Sequence, residues 1–261
     1  MPSLTPTIEA TNWSAACNDF KRDGYIVLRS FLDREELLTF EENLQRLIVE
    51  VVPTMPSAHV YYEDKDCSDT LKQLQALHTY NAYFAQQFLS GKFQRLADEL
   101  FEEPAIGKNM QFFNKPPGKN QATPPHQDGY YMQLVPCKAL TMWLALDNVD
   151  EENGCVRYVQ GSHRLGMRPH ARTQVLGFSQ GITDYPSPND IAQEVALPAR
   201  PGDLLVHDAL MIHRADGNRS ANRTRRALGF IYYAESAKED LEAKQAYQAR
   251  LDADLQAAGK I

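Results

Sequence analysis

Two spacings of hydrophobic residues divide the chain near residue 107. Before this point, apolar positions recur every three or four residues, as they do along one face of an α-helix. The clearest such segment follows Asp33, which forms a capping-box pattern with Glu36, and it ends at Pro53 and Pro56. Its predicted buried face consists of Leu37, Phe40, Leu44, Leu47 and Ile48.

The rest of this first part predicts more helix and one short strand. Residues 13–22 fit a helix, and the pair Asp23-Gly24 makes a turn into a strand at 25–28. A second helical region covers 71–100 and is broken near Gly91. Between these helices, residues 57–70 fit either an irregular loop or an edge hairpin.

Beyond residue 107, short apolar segments alternate with Pro, Gly and Asn, which is typical of a β-sandwich or barrel. The charged tail at 238–259 predicts a solvated helical cap. Helices followed by a β-rich core predict an α+β fold, with one domain over 1–261 and its core at about 107–233. The predicted strands of this core cover residues 110–113, 130–135, 140–146, 155–159, 203–207 and 228–233.

Composition narrows the classes of function. Apolar residues make up 43% of the 261 residues, which is enough for a packed core. The net charge of −7 argues against nucleic-acid binding, because such proteins usually carry an excess of Lys and Arg. No apolar run reaches the roughly 18 residues that a membrane span requires. The first 13 residues also lack the features of a signal peptide.

The cysteine pattern indicates the compartment. Cys17, Cys67, Cys137 and Cys155 are scattered and form no CxxC pair, so we expect reduced thiols rather than a disulfide framework or a zinc site. These features predict a cytoplasmic protein without nucleic-acid or membrane partners. The oligomeric state is open.

The first candidate for chemistry is the run Pro-Pro-His-Gln-Asp-Gly at 124–129. If His126 and Asp128 lie on one strand, their side chains point to the same face and Gln127 points away. A neutral imidazole and a carboxylate suit a borderline divalent metal, and a second histidine would complete the ligand set of non-haem Fe(II) oxygenases. The triplet alone is a weak signal, because HxD occurs by chance in many proteins.

Two later segments add to this signal. An apolar strand at 203–207 is followed by His213, which precedes a Gly-Asn turn. Arg225 and Arg226 then open another apolar strand, and an arginine that enters a β-core needs an anion because an unpaired buried charge is costly. A planar guanidinium suits a carboxylate bound through two hydrogen bonds. The pattern therefore predicts a carboxylate ligand for one of the two arginines.

Four further motifs follow HxD in order, and together they resemble the phytanoyl-CoA dioxygenase family over about residues 17–233. They are W-x-A-L-D-N-V-x-x-x-N-G-C-V-x-x-x-x-G-S-H at 143–163, P-G-D-L-L-x-H at 201–207, H-x-x-x-G-N-R-S at 213–220 and R-R-A-L at 225–228. The resemblance implies a double-stranded β-helix (a cupin-like jelly roll) with N-terminal helices packed on one sheet. It also implies Fe(II), 2-oxoglutarate as cosubstrate, O₂, and ascorbate as a reductant.

The resemblance assigns roles residue by residue. His126, Asp128 and His213 match the family's catalytic metal ligands, whereas Met110 and Trp143 resemble positions that line its cosubstrate pocket.

The matching cosubstrate anchor is Arg225, which would bind the distal carboxylate of 2-oxoglutarate. The spacing from Asn218 to the arginine pair is one residue longer than expected, so Arg226 is an alternative. Adjacent strand residues face opposite ways. The Arg225 face continues with small residues at 227 and 229, which favours Arg225.

Several other polar residues have a simpler structural interpretation. His207 lies in an apolar strand and fits a core or supporting histidine, although it competes with His213 as a ligand. His163 and His170 are expected in loops. Residues 114–119 predict a loop at the mouth of the site, and Arg214, Arg219 and Arg223 are most simply solvated charges.

These features predict an Fe(II)- and 2-oxoglutarate-dependent dioxygenase that hydroxylates an aliphatic C–H bond of a small organic substrate and releases succinate and CO₂. Halogenating relatives need a small residue where Asp128 stands, which favours hydroxylation. A zinc hydrolase is one alternative, but it would need no buried arginine, and the chain lacks HExxH. Another alternative is a metal-binding jelly roll without oxygenase activity. Such a protein would tolerate the loss of one ligand, and the presence of all three candidate ligands argues against it. The substrate is open.

Overall fold

The computed structural model of the protein describes residues 13–64, 66–118, 121–175, 178–246 and 249. The helices are α1 (Trp13–Asp23), α2 (Arg34–Arg46), α3 (Leu77–Tyr80), α4 (Ala82–Ser90), α5 (Lys92–Phe101), α6 (Gly129–Met132) and α7 (Pro188–Gln193). The first strands are β1 (Tyr25–Leu28), β2 (Val60–Tyr62), β3 (Leu71–Leu74), β4 (Ala105–Lys115), β5 (Thr123–His126), β6 (Leu134–Val135), β7 (Ala139–Ala145) and β8 (Val156–Val159). The later strands are β9 (His170–Val175), β10 (Phe178–Ile182), β11 (Glu194–Leu197), β12 (Leu204–Asp208), β13 (His213–Ala215), β14 (Arg225–Ala234) and β15 (Lys238–Glu239).

Two antiparallel sheets form the core of the fold. The larger sheet has the strand order β1-β12-β7-β14-β4-β3-β2, and the smaller one has the order β11-β8-β13-β5. One apolar cluster joins the larger sheet to the N-terminal helices, and a second lies between residues of the two sheets. This arrangement confirms the predicted α+β jelly roll with helices packed on one sheet.

Strand β14 shows how the alternation of side chains separates the two cores. Phe230 faces the helices, where its ring stacks on Phe93 with centroids 4.0 Å apart. Tyr232 faces the same way, and its hydroxyl donates to the carbonyl of Phe88 over 2.7 Å. The intervening positions face the smaller sheet. Gly229 is one of them, and a Cβ there would lie 2.7 Å from the ring of Phe113, so a larger residue would have to displace that ring.

Several sequence predictions are confirmed. Asp33 and Glu36 form the expected capping box, with both hydrogen bonds at 2.9 Å. The helical region breaks at Gly91, and residues 60–62 pair with 71–74 as an edge hairpin. That pairing also corrects the second helical prediction, because 71–74 are strand and the helices begin at Leu77.

The predicted strand at 130–135 is wrong. The chain instead forms α6 and then the two-residue strand β6. The N–H of Gly129 donates to the carbonyl of Ala209, and Gln133 takes a positive φ of 51°, so the chain turns directly after Asp128. The sequence also did not predict β9, β10 and β11, because these strands have no strong apolar alternation.

The predicted helical cap at 238–259 starts differently in the structure. Lys238–Glu239 pair with β6 as a strand, and helix follows at 241–246. Residues 247–248 and 250–261 lie outside the described part, so the cap and the single domain over 1–261 remain predictions. Among the helices described, none is long and apolar enough to cross a membrane.

Candidate metal centre and cosubstrate pocket

Two histidines lie side by side on neighbouring strands of the smaller sheet. β13 pairs with β5 so that His213 is directly opposite His126, and their ring centroids are 4.1 Å apart. The Nδ1 of His126 is 2.8 Å from the carbonyl of Pro124, and that of His213 is 3.0 Å from the carbonyl of Met211. A carbonyl accepts only, so each Nδ1 carries the proton and each Nε2 keeps a lone pair for a metal.

Asp128 completes the set from a turn rather than from a strand. Its backbone is αR, with φ −59° and ψ −34°, at the start of α6, so the condition that both HxD residues lie on one strand is not met. The turn brings its Oδ1 within 3.5 Å of His126 Nε2 and 3.6 Å of His213 Nε2. Donor atoms of all three residues lie within 4.8 Å of one another. Gln127 does point away, and it donates to the carbonyls of Gly166 and Leu210.

The second carboxylate oxygen of Asp128 is held by residues of the larger sheet. The hydroxyl of Thr141 donates to Oδ2 over 2.6 Å, and His207 Nε2 lies 3.2 Å from the same atom. The hydroxyl of Tyr158 is 2.8 Å from His207 Nδ1. These bonds are satisfied when Tyr158 donates to Nδ1 and His207 donates from Nε2. His207 therefore supports Asp128, as its core or supporting interpretation predicted, and Oδ1 is left to face the two imidazoles.

The electrostatics of the cluster suit a divalent cation. Burial alone would raise the pKa of Asp128, but the neighbouring imidazoles of His213, His126 and His207 hold it well below its ordinary value. Burial and the nearby His126 and His207 keep the pKa of His213 well below its ordinary value. A carboxylate and neutral imidazoles are the forms that bind a metal. Two nitrogens and one oxygen therefore fit the facial triad of Fe(II) oxygenases.

A cavity of about 480 Å³ adjoins these donors and lies between the two sheets. Arg225 enters it with 5% of its surface exposed, and within the described residues its Nε has no hydrogen-bond partner. Its guanidinium lies over the ring of Trp143, 5.5 Å from the centroid, and burial lowers its pKa to about 10. Arg226 points the other way and pairs with Asp147 at 2.7 Å and Glu41 at 3.1 Å. Of the two arginines, Arg225 is thus the one available to an anion in the cavity.

Met110 does not line the cavity, so its predicted cosubstrate role is wrong. It is completely buried in the core between the larger sheet and the helices. Its neighbour Gln111 lines the cavity instead, because adjacent residues of β4 face opposite ways. Trp143 does line the cavity, as predicted.

Sequence reasoning missed several residues of the site. Thr141 could have been found, since it lies two positions before Trp143 on the same strand and therefore on the same face. Tyr158 and Lys115 gave no such signal. Lys115 was placed in the predicted loop at 114–119, whereas it ends β4 and lines the cavity. Arg214, predicted to be solvated, forms ion pairs with Glu194 and Asp216.

Comparison with known proteins gives a consistent result. The sequence profile of the phytanoyl-CoA dioxygenase family matches residues 20–227. Phytanoyl-CoA dioxygenase 1 of Oryza sativa subsp. japonica is 27% identical over 234 residues, which covers 77% of this chain and 82% of that protein. The 1-deoxypentalenic acid 11-beta-hydroxylase of Streptomyces exfoliatus is 27% identical, and the match covers 78% of this chain and 74% of that enzyme.

Solved structures extend the comparison to the fold. The epimerase SnoN, crystallised with Fe³⁺, α-ketoglutarate and nogalamycin RO, superposes with a TM-score of 0.69. The two are 21% identical, and the superposition covers 88% of this chain and 87% of that one. At this identity the likeness establishes a common fold.

Proposed function

Since the chain belongs to the phytanoyl-CoA dioxygenase family, we propose that it hydroxylates an aliphatic C–H bond of a small organic substrate and releases succinate and CO₂. Family membership confirms the predicted class, an Fe(II)- and 2-oxoglutarate-dependent dioxygenase. One observation supports the assignment of the site above all others. The donor atoms of His126, Asp128 and His213 converge beside a cavity that contains the buried Arg225.

The three donors would bind Fe(II) through Nε2 of His126, Nε2 of His213 and Oδ1 of Asp128. Bound there, Fe(II) with 2-oxoglutarate and O₂ supplies the oxidation of the C–H bond, coupled to loss of CO₂ from the cosubstrate. The protein contributes the geometry. Thr141 and His207 hold Oδ2, which would leave Oδ1 as the oxygen that binds Fe(II).

Arg225 would orient the cosubstrate. Its guanidinium offers two parallel N–H groups to the distal carboxylate of 2-oxoglutarate, a geometry that lysine cannot reproduce. The ring of Trp143 beneath the guanidinium restricts its position. Burial excludes water from this pair and strengthens it, because opposite charges interact more strongly in a low dielectric.

Hydroxylation is the outcome that the ligand set and one relative favour. The carboxylate of Asp128 occupies the place that a halogenating enzyme leaves for halide, and the Streptomyces exfoliatus relative is named a hydroxylase. SnoN is named an epimerase on the same fold. The product therefore has to be measured for this chain. We also propose a cytoplasmic location, since Cys17, Cys67, Cys137 and Cys155 are all unpaired, as a reducing compartment allows.

The test is a coupled assay with the full chain, Fe(II), ascorbate, 2-oxoglutarate and candidate substrates under ¹⁸O₂. We expect succinate in proportion to product, with one ¹⁸O atom in a new hydroxyl group. Asp128→Asn serves as the control, because it keeps the side-chain shape and removes the charge that binds the metal. A protein that contains stoichiometric zinc and forms no succinate would favour the zinc hydrolase instead. If the product contains no ¹⁸O, the enzyme catalyses an oxidation other than hydroxylation.

A further inference from the structure

The cavity contains a second buried cation, Lys115, which the proposed function leaves without a role. It is 9% exposed and lies directly opposite Arg225 in the pairing of β4 with β14. Its Nζ donates to the carbonyl of Gln121 over 2.7 Å, and no carboxylate of the described chain forms an ion pair with it. Burial and the nearby Arg225 and Lys72 hold its pKa well below the ordinary lysine value, although Glu63 and Asp216 act in the opposite direction. An anion bound beside Lys115 would stabilise its protonated, charged form.

The two cations lean toward opposite sides of the cavity. β14 lies between β7 and β4, and β4 lies between β14 and β3. Arg225 leans toward Trp143 on β7. Lys115 leans the other way, toward Gln121, whose Oε1 accepts from Lys72 of β3 over 2.7 Å. These different contacts favour two separate positions for anions in the cavity, one beside Arg225 and one beside Lys115.

The balance of charge indicates what occupies the second position. Lys72 already has its own partner, since it pairs with Glu63 at 2.9 Å. Once 2-oxoglutarate is bound, one of its carboxylates offsets Arg225, and the other, together with Asp128, offsets Fe(II). Lys115 is then left without an ion-pair partner among the described residues. A carboxylate on the substrate would pair with its protonated form.

A neighbouring side chain lacks a hydrogen-bond donor. Gln73 on β3 is 4% exposed and lines the same cavity, and in the register of β3 with β4 it lies opposite Phe113. Its Oε1 is buried and has no partner within the part of the chain that the structure describes. A buried amide oxygen without a donor is costly, so a bound hydroxyl or amino group would satisfy it.

We propose that Lys115 and Gln73 form a substrate-binding wall, and that the substrate is a small organic acid. Its carboxylate would bind Lys115, and a hydroxyl or amino group of the same molecule would donate to Gln73. This inference rests on the proposed function, because it assigns Arg225 to 2-oxoglutarate. A plain aliphatic chain would leave Lys115 without a carboxylate partner and the Oε1 of Gln73 without a hydrogen-bond donor.

The experiment compares 3-hydroxybutyrate and 3-phenyllactate with their amides. Binding to the full chain is measured by calorimetry, once without metal and once with Mn(II) and 2-oxoglutarate, and succinate release is measured with Fe(II). We expect each acid to bind at least about tenfold more tightly than its amide, since a charge-assisted hydrogen bond is lost in the amide. Among the acids, Gln73→Leu should remove the preference for 3-hydroxybutyrate over butyrate.

Lys115 variants distinguish an effect on substrate binding from an effect on cosubstrate binding. Lys115→Met should weaken binding of the acids about tenfold or more and change the Kd of 2-oxoglutarate by less than about twofold. Lys115→Arg should restore much of the acid binding. The control is Lys138→Met, because Lys138 pairs with Glu103 and does not line the cavity.

Three results would overturn the inference: a Lys115→Met variant that loses 2-oxoglutarate instead, equal binding of acids and amides, or no binding of any acid. Acid binding by a wild-type protein that forms no succinate would count against the proposed function alone.

Discussion

Replacing Arg225 by methionine should have opposite effects on the stability of the ligand-free protein and on cosubstrate binding. Burial lowers the pKa of Arg225 to about 10, which corresponds to roughly 3 kcal/mol of unfavourable free energy for the charged form in the folded state. The folded pKa lies below the unfolded one, so this cost is fully present at neutral pH and diminishes as the pH rises through about 10. The lost contact with Trp143 offsets about 1 kcal/mol.

The net result should be a ligand-free Arg225→Met protein that is about 2 kcal/mol more stable than wild type, a rise in Tm of roughly 4–8 °C for a chain of this length. Binding of 2-oxoglutarate should weaken, because removing one partner of a buried charge pair costs about 2–5 kcal/mol. That range corresponds to a loss of roughly 30-fold to several thousand-fold in affinity.

The neighbouring Arg226→Met variant is the control, because it removes the same side chain one position along the strand. Arg226 pairs with the half-buried Asp147, so its loss should lower the Tm and leave the Kd of 2-oxoglutarate within about twofold of wild type. Both Kd values are measured by calorimetry on the Mn(II)-loaded protein, and both Tm values on the metal-free protein. An Arg225→Met variant that keeps its 2-oxoglutarate affinity, or an Arg226→Met variant that loses it, would refute the assignment of the anchor.

Three further predictions concern the metal centre and the thiols. Asp128→Asn should weaken Mn(II) binding at least about 100-fold, measured by electron paramagnetic resonance, because a neutral amide replaces the anionic ligand; unchanged binding would place the metal elsewhere. His207→Gln should weaken Mn(II) binding about 10- to 100-fold, because Asp128 loses the hydrogen bond that orients it; an unchanged Kd for Mn(II) would show that this contact does not support metal binding. Burial raises the pKa of Cys137 and Cys155 to about 11, so at pH 8 roughly one thiol in a thousand is ionised. Iodoacetamide at pH 8 should therefore label the exposed Cys67 first, as mass spectrometry can check, and labelling of Cys137 and Cys155 should accelerate as the pH rises toward 11; equal rates at pH 8 would contradict the raised pKa of these two thiols.

Local patterns in the sequence determined several of the elements and the candidate ligands of the metal centre. The capping box at Asp33 depends on residues three apart, and the apolar face of α2 depends on a spacing within one helix, so neither needs the rest of the chain. His213, which precedes the Gly-Asn turn, and the HxD triplet can both be recognised from short motifs that follow one another in a fixed order. His126, Asp128 and His213 could therefore be selected before the structure brought them together.

Other features depended on the pairing of distant strands. Alternation along β14 predicts that only one of the two arginines faces the cavity. The structure shows that Arg226 is paired with Asp147 and with Glu41 of α2, which leaves Arg225 as the proposed anchor. Asp128 reached its partners through a turn fixed by Ala209, a residue about 80 positions away, and not through a strand.

The proposed substrate-binding wall shows most clearly what the sequence alone could not predict. Gln73 and Lys115 are separated by more than 40 residues, and neither belongs to a motif. They line the same cavity because β3 and β4 pair. A cation or an amide oxygen lacks a partner only when the packed sheets exclude the water that would otherwise bind it. The sequence by itself therefore specified which groups can bind the metal. Tertiary structure decided which polar groups are buried without partners, because desolvation is a property of the assembled sheets and not of any single segment.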